Sequence, residues 1–134
     1  MRFVLDCSLT MSWCFDDEKT EKGDQILESL TEDTSIIVPT LWQLEVTNVL
    51  TLAERRGRIT TGQTLVIMDF LSDLPIMIDE NTYDFKEIYI LAKTYNLTSY
   101  DAAYLDLALK NQVPLGTLYT KLIEACRQAG MKVL

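Results

Sequence analysis

The chain has 134 residues, 20 acidic against 12 basic side chains, and a formal net charge of −8. Its length supports one domain (1–134) with its own apolar core, and 48% hydrophobic with 24% charged residues excludes wholesale disorder. It contains no histidine, which excludes Ser-His-Asp and Cys-His nucleophiles, imidazole general bases and histidine-containing zinc sites.

The predicted elements alternate. Arg2 to Leu5 reads as a short apolar strand that meets Asp6, and a helix is expected from about Ser8. Helical spacing runs from Glu21 to Leu30. Ser35 to Val38 reads as a second strand closed by Pro39. A helix from Leu41 to Arg56 stops at Gly57, and Thr60 or Thr61 caps another that runs to Leu74. Pro75 opens the strand Ile76–Ile78, and helices follow at about Tyr83 to Tyr95 and Tyr100 to Asn111. Leu115 to Leu118 is a brief strand, Thr120 to Ala129 a helix stopped by Gly130, and Met131 to Leu134 a last strand. This order predicts an α/β fold with a mainly parallel sheet covered on both faces. In such sheets the working site lies beyond the carboxyl ends of the strands.

No run of about 18 apolar residues exists, so no membrane-spanning helix is expected, and Asp6 arrives before a signal-peptide core could form. The expected location is the cytoplasm. Cys7, Cys14 and Cys126 are odd in number and lack C-x-x-C spacing, as expected of reduced, buried thiols. Residues 16 to 33 hold eight acids and two lysines, and so most of the negative charge; a basic tract, Arg55-Arg56-Gly57-Arg58, stands elsewhere. Both clusters read first as solvated helix faces and ends, and the tract leaves a polyanionic partner open.

With no imidazole available, metal chemistry here would rest on carboxylates and carbonyls, which favours Mg²⁺ or Mn²⁺. Three acids are candidates. Asp6 follows a strand end, where it either serves a site or caps the next helix. Glu45 falls between Val49 and Leu52 inside the apolar arc of its helix, which Trp42, Val46, Val49 and Ala53 define. A carboxylate aimed that way needs a metal, a basic partner or a route to water. Asp101 opens the helix Ala102-Ala103-Tyr104-Leu105, where Thr98-x-x-Asp101 also has the shape of a capping box. Asp106 points about 140° away from Asp101 around the helix and is expected at the surface.

Four phrases carry a resemblance. Phe3-Val4-Leu5-Asp6-x-Ser8, Val38-Pro39-x-Leu41-Trp42-x-Leu44-Glu45-Val46-x-Asn48-x-Leu50, Leu52-Ala53-Glu54-Arg55-Arg56-Gly57-Arg58 and Leu97-Thr98-x-Tyr100-Asp101-Ala102-Ala103-Tyr104-Leu105 occur in order. Together they resemble a PIN-domain protein of the VapC toxin type, from Phe3 to about Gly130. The resemblance implies a three-layer α/β/α sandwich and Mg²⁺- or Mn²⁺-dependent cleavage of RNA that leaves a 5′-phosphate. It places Asp6, Glu45 and Asp101 at the acidic metal-binding positions, and Ser8, Asn48 and Thr117 at polar positions around them. It also implies a small antitoxin protein as partner and a homodimer, for which Trp42, Leu52, Met68, Phe70 and Leu71 are candidate surface. One position departs from the family. Tyr119 stands where a fourth aspartate is usual, and Lys121 where a further acid often follows. Two alternatives therefore stay open: a catalytically weakened PIN domain that binds RNA or antitoxin, and a receiver-like phosphoacceptor domain.

Overall fold

The computed structural model describes residues 1–134. Four strands form one wholly parallel sheet: β1 (Arg2–Leu5), β2 (Ser35–Pro39), β3 (Ile76–Asp79) and β4 (Leu115–Gly116), in the order β3-β2-β1-β4. The sheet is flanked by helices, so the expected three-layer PIN-like sandwich is the architecture found. The order differs from the 2-1-3-4-5 arrangement of receiver domains, which removes the structural basis for that alternative.

The strands are short and apolar because both faces are covered. Phe3, Val4, Leu5, Ile36 and Val38 are fully buried. Helix α1 (Cys7–Cys14) leads through a 3₁₀ turn, Asp16–Glu18, to α2 (Glu21–Glu28). Helices α3 (Thr40–Arg55) and α4 (Thr61–Asp73) follow one another with no strand between. Gly57, at φ +71°, ends α3 in the left-handed region that a side chain disfavours. Thr60 and Gln63 form a reciprocal capping box that starts α4. Helices α5 (Phe85–Tyr95) and α6 (Ser99–Asn111) pack against each other, and α6 lies across β1 and β2. Helix α7 (Thr120–Gln128) follows β4.

Three expectations change. The last strand, Met131–Leu134, shrinks to a single bridge between Val133 and Leu115. Strand β4 ends at Gly116 instead of Leu118, because Thr117 and Leu118 turn to bond with residues after β1. Asp106 is buried, 9% exposed, because α6 is enclosed on all sides from Ala102 to Ala108. Lys110 one turn on pairs with Asp106 at 2.9 Å and with Glu87 of α5 at 3.0 Å, which supplies its counter-charge. No helix is long and apolar enough to cross a membrane.

Candidate functional site

Strand order steps from β1 to β2 to β3 on one side of β1, while β4 returns to the other. The reversal falls at the carboxyl ends of β1 and β4, the place where open parallel sheets hold ligands. Asp6 and Thr117 sit there, each the residue immediately after its strand. Gly116 brings β4 close enough, since a Cβ on it would come within 2.8 Å of Leu9 and 3.1 Å of Phe3.

Asp6 is 4% exposed and has three partners. Its Oδ1 accepts from the Leu9 amide at 2.9 Å, so it caps α1. The Ser8 hydroxyl donates across both carboxylate oxygens at 2.8 and 2.9 Å, and Thr117 donates to Oδ2. With both hydroxyl hydrogens turned to Asp6, the Ser8 and Thr117 oxygens accept in turn from the amides of Leu118 (2.9 Å) and Tyr119 (3.0 Å). Burial raises the Asp6 carboxyl above its ordinary range; these bonds pull it back down, and the charge of Asp101 pushes it up.

Glu45 projects from α3 with neither a basic partner nor full exposure. Its Oε1 accepts from the Tyr104 phenol at 2.5 Å. Burial lifts its pKa first, the phenol lowers it, and the charges of Asp101 and Asp6 add to the rise. Asp101 lies in the first turn of α6, its amide held by Thr98 Oγ1 at 3.1 Å. Burial raises its pKa, against which the Thr98 bond and the Lys121 charge act.

The structure therefore joins Asp6, Ser8 and Thr117 in one hydrogen-bonded group; the Asp101 charge acts on Asp6, and the charges of Asp101 and Asp6 act on Glu45. Asn48 is exposed one turn along α3 from Glu45 and stays outside that group. Tyr104 is the residue that sequence reading missed. Its signal was its place three positions after Asp101, on a neighbouring face of one helix. Tyr119 caps α7 through its backbone and is exposed. Among the candidate dimer residues, Trp42 and Leu71 belong to the core, Trp42 donating to Thr10 Oγ1 at 3.0 Å. Met68 is exposed beside them, on an apolar groove of about 330 Å³ between α3, α4 and β3.

The three cysteines are unpaired. Burial pushes the Cys7 and Cys14 thiols up to about 12 and that of Cys126 to about 11, so all remain protonated near neutral pH.

The donors are carboxylates and hydroxyls, hard oxygen ligands that suit Mg²⁺ or Mn²⁺. No three acidic or thiol side chains gather closely enough to hold an ion among them. The set fits a cation held by one or two carboxylates that keeps its waters and meets a phosphate, the usual habit of Mg²⁺. The negative charge of Asp101 acting on both Asp6 and Glu45 favours such a cation.

No protein-family model matches the sequence, and no curated protein matches it. Solved structures do. The structure of PAE2754 from Pyrobaculum aerophilum superposes with a TM-score of 0.66 at 21% identity, covering 93% of this chain and 87% of that one. FitAcB from Neisseria gonorrhoeae gives 0.64 at 18% identity, covering 100% of this chain and 96% of that one. A toxin-antitoxin complex from Klebsiella pneumoniae gives 0.60 at 19%, covering 89% and 88%. The chain shares its fold with all three. At these identities the likeness is one of architecture, and chemistry has to be argued from the residues.

Proposed function

We propose that this chain is a metal-dependent endoribonuclease of the PIN-domain, VapC toxin type. The observation that carries the reading is the buried Asp6 group at the sheet's reversal point, hydrogen-bonded by Ser8 and Thr117, with the Asp101 charge acting on Asp6 and on Glu45. It is supported by a fold held in common with a toxin-antitoxin complex.

One or two of the three acids Asp6, Glu45 and Asp101 would hold Mg²⁺ or Mn²⁺, with water in the remaining positions. A bound ion of that kind supplies Lewis-acid polarisation of a phosphoryl oxygen and acidifies water near neutral pH. The chain's own part is to orient and exclude. Ser8 and Thr117 fix the Asp6 carboxylate so that it does not rotate, and the surrounding core keeps bulk water from its inner side. Hydrolysis by this route needs neither histidine nor a 2′-hydroxyl nucleophile, in keeping with the composition. Single-stranded or loop RNA is the substrate class whose bases such a cleft can meet. The same reading gives the chain a small antitoxin partner, a homodimeric state and a cytoplasmic setting.

A second reading is favoured by Lys121, whose positive charge acts on Asp101, and by Tyr119 at the strand end. An ammonium there competes with a divalent cation for the same carboxylate. The domain would then bind RNA or antitoxin while cleaving poorly. Incubation of the purified chain with total RNA and Mn²⁺ or Mg²⁺, with a chelator control, separates the two. Chelator-sensitive cleavage supports the nuclease; retained RNA binding without cleavage supports the second reading.

A further inference from the structure

Tyr104 is the largest side chain fully withdrawn from solvent, 1% exposed, and its hydroxyl has one partner, Glu45 Oε1, at 2.5 Å. A buried core position of that size is filled more simply by phenylalanine or leucine, because a buried hydroxyl has to find a partner. Here the partner is an acid of the candidate site, from another helix and 59 positions away. The ring is enclosed on every side, so the phenol is a fixed point; Glu45, half-buried on α3, is the freer member. A phenol has one hydrogen to give. It engages Oε1 and leaves Oε2 unheld by it. Helix α6 thus presents Asp101 itself and, three positions on, holds the acid that α3 presents.

We propose that Tyr104 is a positioning residue of the acidic cleft: its hydroxyl commits Glu45 Oε1 and turns Oε2 toward a divalent cation. The proposal rests on the cation reading above. Its energetic meaning is pre-organisation, since a long carboxylate held in one rotamer need not be ordered when the ion arrives.

The test uses the full chain with Mn²⁺ alone as probe, followed by titration calorimetry. Tyr104→Phe keeps the ring that fills the core and should give the native circular dichroism spectrum. It should bind Mn²⁺ about 5- to 20-fold more weakly, and Tyr104→Phe with Glu45→Gln should bind no more weakly than Glu45→Gln alone. Unchanged Mn²⁺ affinity in Tyr104→Phe overturns the proposal, because a purely structural tyrosine would lower the melting temperature and leave affinity alone. A variant-free measurement stands beside it. In the native chain a Mg²⁺ titration should move the Glu45 carboxyl carbon resonance while Tyr104 Cζ holds; a Cζ that moves equally means the phenol lets go and overturns the proposal. If the native chain takes up neither ion, the cation reading fails by itself, and the crystal structure of Tyr104→Phe decides the positioning role. A displaced Glu45 carboxylate supports it, and one left in place overturns it.

Discussion

Asp6 and Thr117 stand 111 positions apart in the chain, yet the Thr117 hydroxyl donates to Asp6 Oδ2 just past the ends of the paired strands β1 and β4. One hydrogen bond ties the start of the chain to the strand that completes the sheet. Because Asp6 is buried, the loss of this donor leaves Oδ2 with only its share of the Ser8 hydroxyl.

Thr117→Val keeps the shape and removes that donor. It should destabilise the chain by about 1–3 kcal/mol at pH 7, while Thr117→Ser should cost a fraction of that. Urea denaturation of the three proteins checks the order. Equal stability for Thr117→Val would mean that the hydroxyl contributes nothing to holding Asp6.

Asp6, Glu45 and Asp101 all have their pKa values raised by folding, chiefly through burial. A carboxyl whose folded value exceeds its unfolded one binds protons more tightly when folded. Its stabilising contribution is full below the ordinary carboxylate range and is lost as pH rises through the folded value. The metal-free native chain should therefore lose melting temperature, relative to Glu45→Gln, as pH increases from about 4 toward 7. A native-minus-variant difference that stays constant over this range contradicts the raised value of Glu45. Saturating Mn²⁺ at pH 7 should recover part of the native loss, because the ion binds the deprotonated form.

Lys121 supplies a positive charge that acts on Asp101. Lys121→Gln should raise Mn²⁺ affinity several-fold, and Tyr119→Asp with Lys121→Asp should raise it further by adding carboxylates at the end of β4. Adding Asp101→Asn to the double variant should cancel most of the gain. Calorimetry on the series is the check; no gain in the double variant would show that this segment does not face the acids.

Gly116→Ala would press a methyl group to 2.8 Å from Leu9 and 3.1 Å from Phe3, both in the core. The expected cost is about 1–3 kcal/mol, from forced repacking next to Thr117. A thermal melt measures it. The same variant should weaken Mn²⁺ binding if β4 is displaced from β1.

Local signals made much of the fold legible. Apolar runs ended by Asp6 and Pro39 marked β1 and β2, and the stop at Gly57 with the cap at Thr60 separated α3 from α4. The site was legible only in part. Asp6 follows a strand, and Glu45 breaks an apolar arc, both visible in one dimension. The hydrogen bond that satisfies Glu45 comes from Tyr104, 59 positions on, which no periodicity announces. Asp106 departs from its expected surface place because a helical wheel assumes a solvent-facing side, and α6 has none through its middle turns. Trp42 and Leu71 read as candidate surface yet lie in the core, because an apolar stripe reads alike whether it meets the core or a partner.

The arginine at the end of the basic tract has a claim on it already. Arg58 pairs with Asp17 at 2.6 Å and Glu18 at 2.8 Å, and its guanidinium lies 4.0 Å from the centre of the Phe15 ring. It fastens the acidic 3₁₀ turn to the end of α3, and of the tract only Arg55 and Arg56 remain unengaged at the surface. A strand of RNA crossing this corner could displace sodium or potassium ions from at most two of its phosphates there. The tract's share of any ionic-strength dependence is then bounded: a slope of log affinity against log salt no steeper than about −1.4 for single-stranded RNA. Arg58→Ala should leave that slope unchanged, whereas Arg55→Ala and Arg56→Ala should each flatten it by about 0.7.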